Sequence, residues 1–164
     1  MNNTDTAEET DSESSKEQFL TFRLDQECYA IDILAVREIR SWTEPTPLPH
    51  TPTHVLGAMN LRGAIIPVVD LRVQFSVNNE GFSSTTGVIV VQANEEQEGR
   101  QIGLVVDQVL DVAYLEAETS DDTTQRTSGR YVRGLRSSEQ GLVILVELAN
   151  IVEDCLLDQA ANTE

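Results

Sequence analysis

The residues most able to do chemistry are few. His50 and His54 stand four apart, a spacing that on a helix would put both imidazoles on one face as metal ligands. Pro52 lies between them and no cysteine or third histidine is near, so the pair reads as loop or capping residues. Asp121-Asp122 could hold a cation or work as a general-acid pair, yet the Thr and Ser run around it reads as a solvated loop. There is no G-x-S-x-G elbow, no glycine-rich phosphate loop and no histidine placed to serve a serine or cysteine. The expectation is therefore no enzyme, no cofactor and no metal site. Trp42, the one tryptophan, reads as core beside a proline-rich link.

What remains is charge on apolar ground: Glu38 two residues after Val36, and Arg62 two residues after Asn60. One reading is a structural ion pair at the surface, worth little by itself. The other is a polar pair set in an apolar recognition patch, where arginine is favoured as a hot spot. Spacing alone leaves both open.

The stretch that must position Arg62 is Val55–Leu71, two apolar runs separated by Asn60-Leu61-Arg62-Gly63. Asn suits the first position of a type I turn and Gly the fourth, where φ is positive, so the spacing predicts a hairpin of strands Leu56–Asn60 and Ala64–Val69. The second run is apolar on both faces, as a strand covered on both sides would be. Pro67 cannot donate to a ladder, which predicts an edge strand or a bulge there.

The remaining elements follow from pattern and punctuation. Residues 1–18 form an acidic tail, net −5 and without aromatics, that is expected to be disordered. Phe19–Leu24 and Cys28–Ile31 read as a hairpin around Asp25-Gln26-Glu27. Asp32 can cap a helical turn that leads into a strand from Val36 to Trp42. Thr43–Pro52 holds four of the five prolines and is an extended connection, with one helical turn expected at Thr53–Leu56. Asp70–Phe75 reads as a turn of helix and Ser76–Thr86 as a polar loop. Gly87–Ala93 and Arg100–Val106 pair around an acidic turn, Asn94–Gly99, and Asp107–Leu115 alternates as a continuing strand. Glu116–Arg130 is a polar loop, and Tyr131–Leu135 and Leu142–Val146 form the last hairpin. Ala149–Leu157 is an amphipathic helix, followed by a frayed terminus at 158–164.

Short strands at this spacing predict a mostly β protein built as small barrels or a sandwich. The net charge of −17 disfavours nucleic acid and anionic membrane surfaces as partners. Cys28 and Cys155 are too few for a disulfide framework and read as buried or half-buried thiols in a reducing compartment. No signal-like or membrane-spanning run is seen, so a cytoplasmic location and no membrane insertion are expected.

In order along the chain, Tyr29–Ile39 (YAIDILAVREI), Pro45–Pro49 (PTPLP), Val55–Arg72 (VLGAMNLRGAIIPVVDLR), Gly103–Val112 (GLVVDQVLDV) and Gly141–Leu148 (GLVILVEL) resemble the CheW family of bacterial chemotaxis coupling proteins. The resemblance runs from about residue 19 to 157, and its N-L-R-G-x-x-I-P-V-x-D-L-R block is specific. It implies two small SH3-like five-stranded β-barrel subdomains with short helices and a C-terminal helix, sharing a hydrophobic junction. It implies a non-catalytic adaptor joining the cytoplasmic tips of methyl-accepting chemoreceptors to the histidine kinase CheA, in the cytoplasm at membrane-associated arrays, with weak self-association in array rings. A coupler of a pilus-motility or other chemosensory pathway is the alternative within that family. Residue by residue, Glu38 and Arg62 match the family's charged contact pair, flanked by Val36, Gly57 and Asn60, and Val105 matches a position near the receptor-facing groove. Two features depart from the family pattern: Thr119–Gly129 lacks the usual prolines, and Val146-Glu147 stands in place of Leu-Asp.

Overall fold

The computed structural model describes residues 16–92, 100–116 and 129–162, the last helix beyond residue 155 as backbone only. The expected tail up to residue 15, the turn at 93–99 and the loop at 117–128 with Asp121-Asp122 lie outside the described residues. The order is β1 (Lys16–Leu24), β2 (Glu27–Asp32), a 3-10 turn (Ile33–Ala35), β3 (Val36–Ser41), β4 (Val55–Leu61), β5 (Ala64–Asp70) and a short helix (Leu71–Gln74). Then follow β6 (Gly87–Val91), β7 (Ile102–Val106), β8 (Gln108–Glu116), β9 (Val132–Ser138), β10 (Gly141–Val146) and a helix (Leu148–Asn162).

Ten strands divide into two five-stranded sheets. The chain ends build one, in the order β8-β1-β2-β10-β9, and the middle of the chain builds the other, β3-β6-β7-β5-β4. The protein is thus mostly β, as its strand spacing requires. In each sheet the two outer strands come back toward each other, which makes it barrel-like. Glu38 on β3 reaches the tip of the β4–β5 hairpin, and Arg136 on β9 donates to the carbonyl of Glu116 at the end of β8.

One buried cluster joins the sheets. Leu20, Phe22, Leu24, Tyr29 and Ile31 from the terminal sheet meet Val69, Ile89, Val91, Ile102, Leu104 and Val106 from the central one. Leu148, Ile151, Val152 and Cys155 of the C-terminal helix seal it. Residues 87–91 and 102–106 are buried at every position, so both faces of β6 and β7 are covered. That is why their sequences are continuous apolar runs rather than alternations.

Several expectations are corrected. The stretch expected as one strand through Asp107 is two strands in different sheets, because the chain breaks at Asp107 and crosses from β7 to β8. Strand-like residues on both sides of Asp107, an apolar run before it and an alternation after it, hide the break. Strand β1 starts at Lys16, three residues before the expected Phe19, because 16–18 pair with 114–116 of β8. Residues 53–54 form a turn rather than helix, and β4 begins at Val55. The C-terminal helix spans Leu148–Asn162, longer than the expected Ala149–Leu157.

Pro67 lies on β5, an interior strand, but just before β5 begins to pair with β7 at Val68. The missing donor therefore costs no ladder bond on that side. A bulge between Val55 and Gly57 marks the same ladder. Asp32 and Asp70 each cap the turn that follows them, accepting from the backbone N–H of Leu34 and Arg72. Cys28 is half-buried and Cys155 buried, and no disulfide joins them.

A charged pair, a buried arginine and an aromatic groove

The hairpin tip is tighter than the sequence suggested. Leu61 pairs with Ala64, leaving Arg62 and Gly63 as a two-residue loop with φ of 53° and 87°. Positive φ at both central residues is the signature of a type I′ turn, not the expected type I turn, and its twist matches that of the flanking strands. Gly63 adopts this freely, whereas Arg62 has a Cβ and does so at a cost of roughly 1–2 kcal/mol. The Asn60 side chain offsets part of this by accepting the Gly63 N–H at 2.9 Å.

Arg62 is thereby thrust into solvent with its side chain 75% exposed, and its Nη1 donates to Glu38 Oε2 at 2.8 Å. Glu38 Oε1 takes a second bond, from Arg40 Nη1 at 2.8 Å. The Arg62 hydrogen bond foremost holds the Glu38 carboxyl below the ordinary glutamate range, against the opposing effect of desolvation and with Arg40 adding to it. A bulge between Val36 and Glu38 lets the carboxylate face the tip. Arg37, left aside, bonds the Leu34 carbonyl at 2.8 Å. The pair is a surface ion pair between β3 and the hairpin tip, with the Arg62 guanidinium exposed.

The other expected site residues fall in different places. Val36 is half-buried and packs on the main core. Asn60 is exposed and shapes the turn. Gly57 is buried, and a Cβ there would stand 2.1 Å from the Thr46 carbonyl oxygen, so glycine is required for the proline-rich segment to lie across β4. Ala58 and Thr46 exchange backbone bonds at 2.8 and 2.9 Å along that contact. Val105, expected near a groove, is fully buried. It packs with Val68 and Val88 beneath Trp42 and Leu56. His50 and His54 share no helix face: His50 is exposed with φ of 59°, and His54 sits at the turn before β4, its carbonyl accepting from Asp70 N–H at 2.7 Å.

Sequence reasoning missed Arg72, which has no exposed surface at all. Its Nε and Nη2 bond the two Asp70 carboxylate oxygens at 3.0 Å each, and Nη1 bonds Asp107 Oδ1 at 3.0 Å and the Gly81 carbonyl. Burial alone would lower its pKa, but the bonds to Asp70 and then Asp107 leave it raised. One buried cation thus ties the end of β5, the loop before β6 and the Asp107 crossover between sheets. The signal was present as Asp70-Leu71-Arg72, a cap followed two residues later by a cation at the end of an apolar strand. The distant partners Asp107 and Gly81 left no trace in the sequence.

Above Arg72 lies Phe82, its ring centroid 5.0 Å from the guanidinium carbon, and Trp42 stacks on Phe82 at 3.9 Å and 5°. Trp42, Phe82, Leu56, Pro45, Pro47 and Glu44 line a groove of about 310 Å³. Trp42 is thus half core and half surface.

Among the described residues no group of three or more His, Cys, Asp or Glu side chains could hold a metal ion, and no helix is long and apolar enough to cross a membrane. Two barrel-like sheets sharing one core thus display an ion pair and an aromatic groove. The CheW-like domain model matches residues 18–155. The chain is 35% identical to the chemotaxis protein CheW of Klebsiella aerogenes over 157 residues, 92% of each chain. To the chemotaxis protein CheW of Rhizobium meliloti it is 33% identical, over 82% of this chain and 86% of the relative. A crystal structure of the scaffolding protein TtCheW from Thermoanaerobacter tengcongensis superposes with a TM-score of 0.66 at 29% identity, covering 80% of this chain and 89% of that one. The chain belongs to the CheW-like domain family. Membership places it among the non-catalytic scaffold proteins of chemotaxis.

Proposed function

We propose that this protein is the adaptor that joins the cytoplasmic tips of methyl-accepting chemoreceptors to the histidine kinase CheA, working in the cytoplasm at receptor arrays. The observation that carries the reading is the Glu38–Arg62 pair. An arginine held in a strained loop conformation, three-quarters exposed and oriented by a carboxylate, is a preorganised contact rather than a free surface charge. Val36 and Asn60 flank it in sequence; Gly57 lets the proline-rich segment lie across β4, and Val105 belongs to the buried cluster on which Trp42 packs. Each contact can be weak, because many copies in an array raise the effective concentration.

The test is co-sedimentation of receptor cytoplasmic fragments, CheA and this protein, with kinase activity followed. Kinase stimulation should require the protein and fall at least tenfold with Arg62→Glu, while circular dichroism shows the fold intact. A folded Arg62→Glu protein that stimulates normally would remove the pair from the coupling site. Failure of the unaltered protein to bind either partner would refute the coupling role itself.

A further inference from the structure

We propose that the groove beside Trp42 is a docking site for a basic side chain, an arginine of a partner protein. This inference rests on the groove's own chemistry and not on the coupling role. Phe82 has one face covered by the indole of Trp42 at 3.9 Å, so the Arg72 guanidinium occupies the other. Trp42 is therefore the end plate of a guanidinium–phenyl–indole stack; it packs on Val68, Val88 and Val105, and the part left uncovered lines the groove. Indole is the best aromatic surface for a cation, and a guanidinium can lie flat on it.

The walls supply the rest of the recognition. Pro45, Pro47 and Leu56 are apolar and exclude water from the stem of a long side chain. Glu44 is exposed and is the one charged group of the lining, because the Arg72 cation is sealed below with no accessible surface. An aromatic plate with a single carboxylate selects a cation over an anion. The net charge of −17 steers basic segments toward the protein in the same direction.

The groove is also rigid. Arg72 pins the Phe82 loop through the Gly81 carbonyl, and Gly57 lets the Pro45–Pro47 segment lie against β4. The platform is in place before a partner arrives, which lowers the ordering cost of binding.

Trp42 is the only tryptophan, so its fluorescence reports the groove directly in the full-length protein. The probe is N-acetyl-arginine amide, compared with the uncharged N-acetyl-citrulline amide and with N-acetyl-leucine amide. A saturable emission change is expected with the arginine probe, with at least threefold weaker binding of the citrulline probe. Glu44→Gln, on an exposed side chain outside the core, should weaken the arginine probe about 2- to 5-fold, the range of an exposed ion pair. Equal binding of arginine and citrulline, tighter binding of leucine, or no saturable change would each overturn the proposal. A change in emission with protein concentration alone would assign the groove to a second copy of the chain and overturn it as well.

Discussion

Replacing Arg72 by methionine tests whether the two sheets are held together by a buried ion cluster or merely by apolar packing. Methionine keeps much of the volume, so the loss is chiefly electrostatic. It removes two charge-assisted bonds to Asp70, which is 1% exposed, one to Asp107, and one to the Gly81 carbonyl. Each charge-assisted bond carries roughly 1.5–3 kcal/mol. Asp107 is partly exposed and regains water, so its bond adds little to the loss. The Asp70 carboxylate keeps the backbone N–H of residue 72 at 3.0 Å and the Asn79 amide at 3.4 Å, which softens the penalty. A stranded buried carboxylate then costs about 3–5 kcal/mol. At roughly 2–4 °C per kcal/mol for a chain of this size, the melting midpoint should fall by about 6–20 °C. The assay is thermal denaturation by circular dichroism, with near-ultraviolet signal from Trp42 recorded in parallel, since the Phe82 loop is released at the same time. Arg72→Lys, which keeps the charge but loses the planar fork, should fall between the two. A melting shift below about 3 °C for Arg72→Met, with the Trp42 signal unchanged, would refute the claim that this cation holds the junction.

Other outcomes are equally definite. Gly57→Ala puts a methyl 2.1 Å from the Thr46 carbonyl oxygen at φ of +148°, and should cost about 1–3 kcal/mol and free the Pro45–Pro47 segment, seen as faster amide exchange at Thr46 and Ala58. Glu38 titrates below the ordinary glutamate value because Arg62 and Arg40 stabilise its charged form. The pair is therefore intact above the unfolded-state value and lost only as pH falls through the lower folded-state value; carboxyl NMR should show this midpoint rising in Arg62→Ala. Asp154, held below its ordinary value first by Arg130 and then by Tyr131, anchors the C-terminal helix to the chain before β9. Asp154→Asn should accelerate amide exchange in that helix while leaving β6 and β7 protected.

The sequence by itself determined the class of protein and most of its strands. Period-two alternation, continuous apolar runs and turn residues act locally, so β1–β2, β4–β5 and β9–β10 were legible from short windows. The Asp32 and Asp70 caps were legible for the same reason, since the acceptor and donor lie two residues apart. The Glu38–Arg62 pair was half legible: both residues stood out as charge on apolar ground, but their 2.8 Å contact depends on a barrel closing over twenty-four residues of sequence.

What only the tertiary structure decided was every feature made of distant partners. The break at Asp107 is invisible because strand-like residues stand on both sides of it, and only the fold puts β7 and β8 in different sheets with Arg72 bonded to Asp107 between them. The sequence matched Val105 to a position near a groove; only the tertiary structure shows it buried in the cluster on which Trp42 packs, because β7 is covered on both faces. Trp42 and Phe82 are forty residues apart and meet only because Arg72 and the Gly81 carbonyl fold the intervening loop back. Local preferences select strands and turns; the sharing of one buried cation among three segments selects how they are assembled.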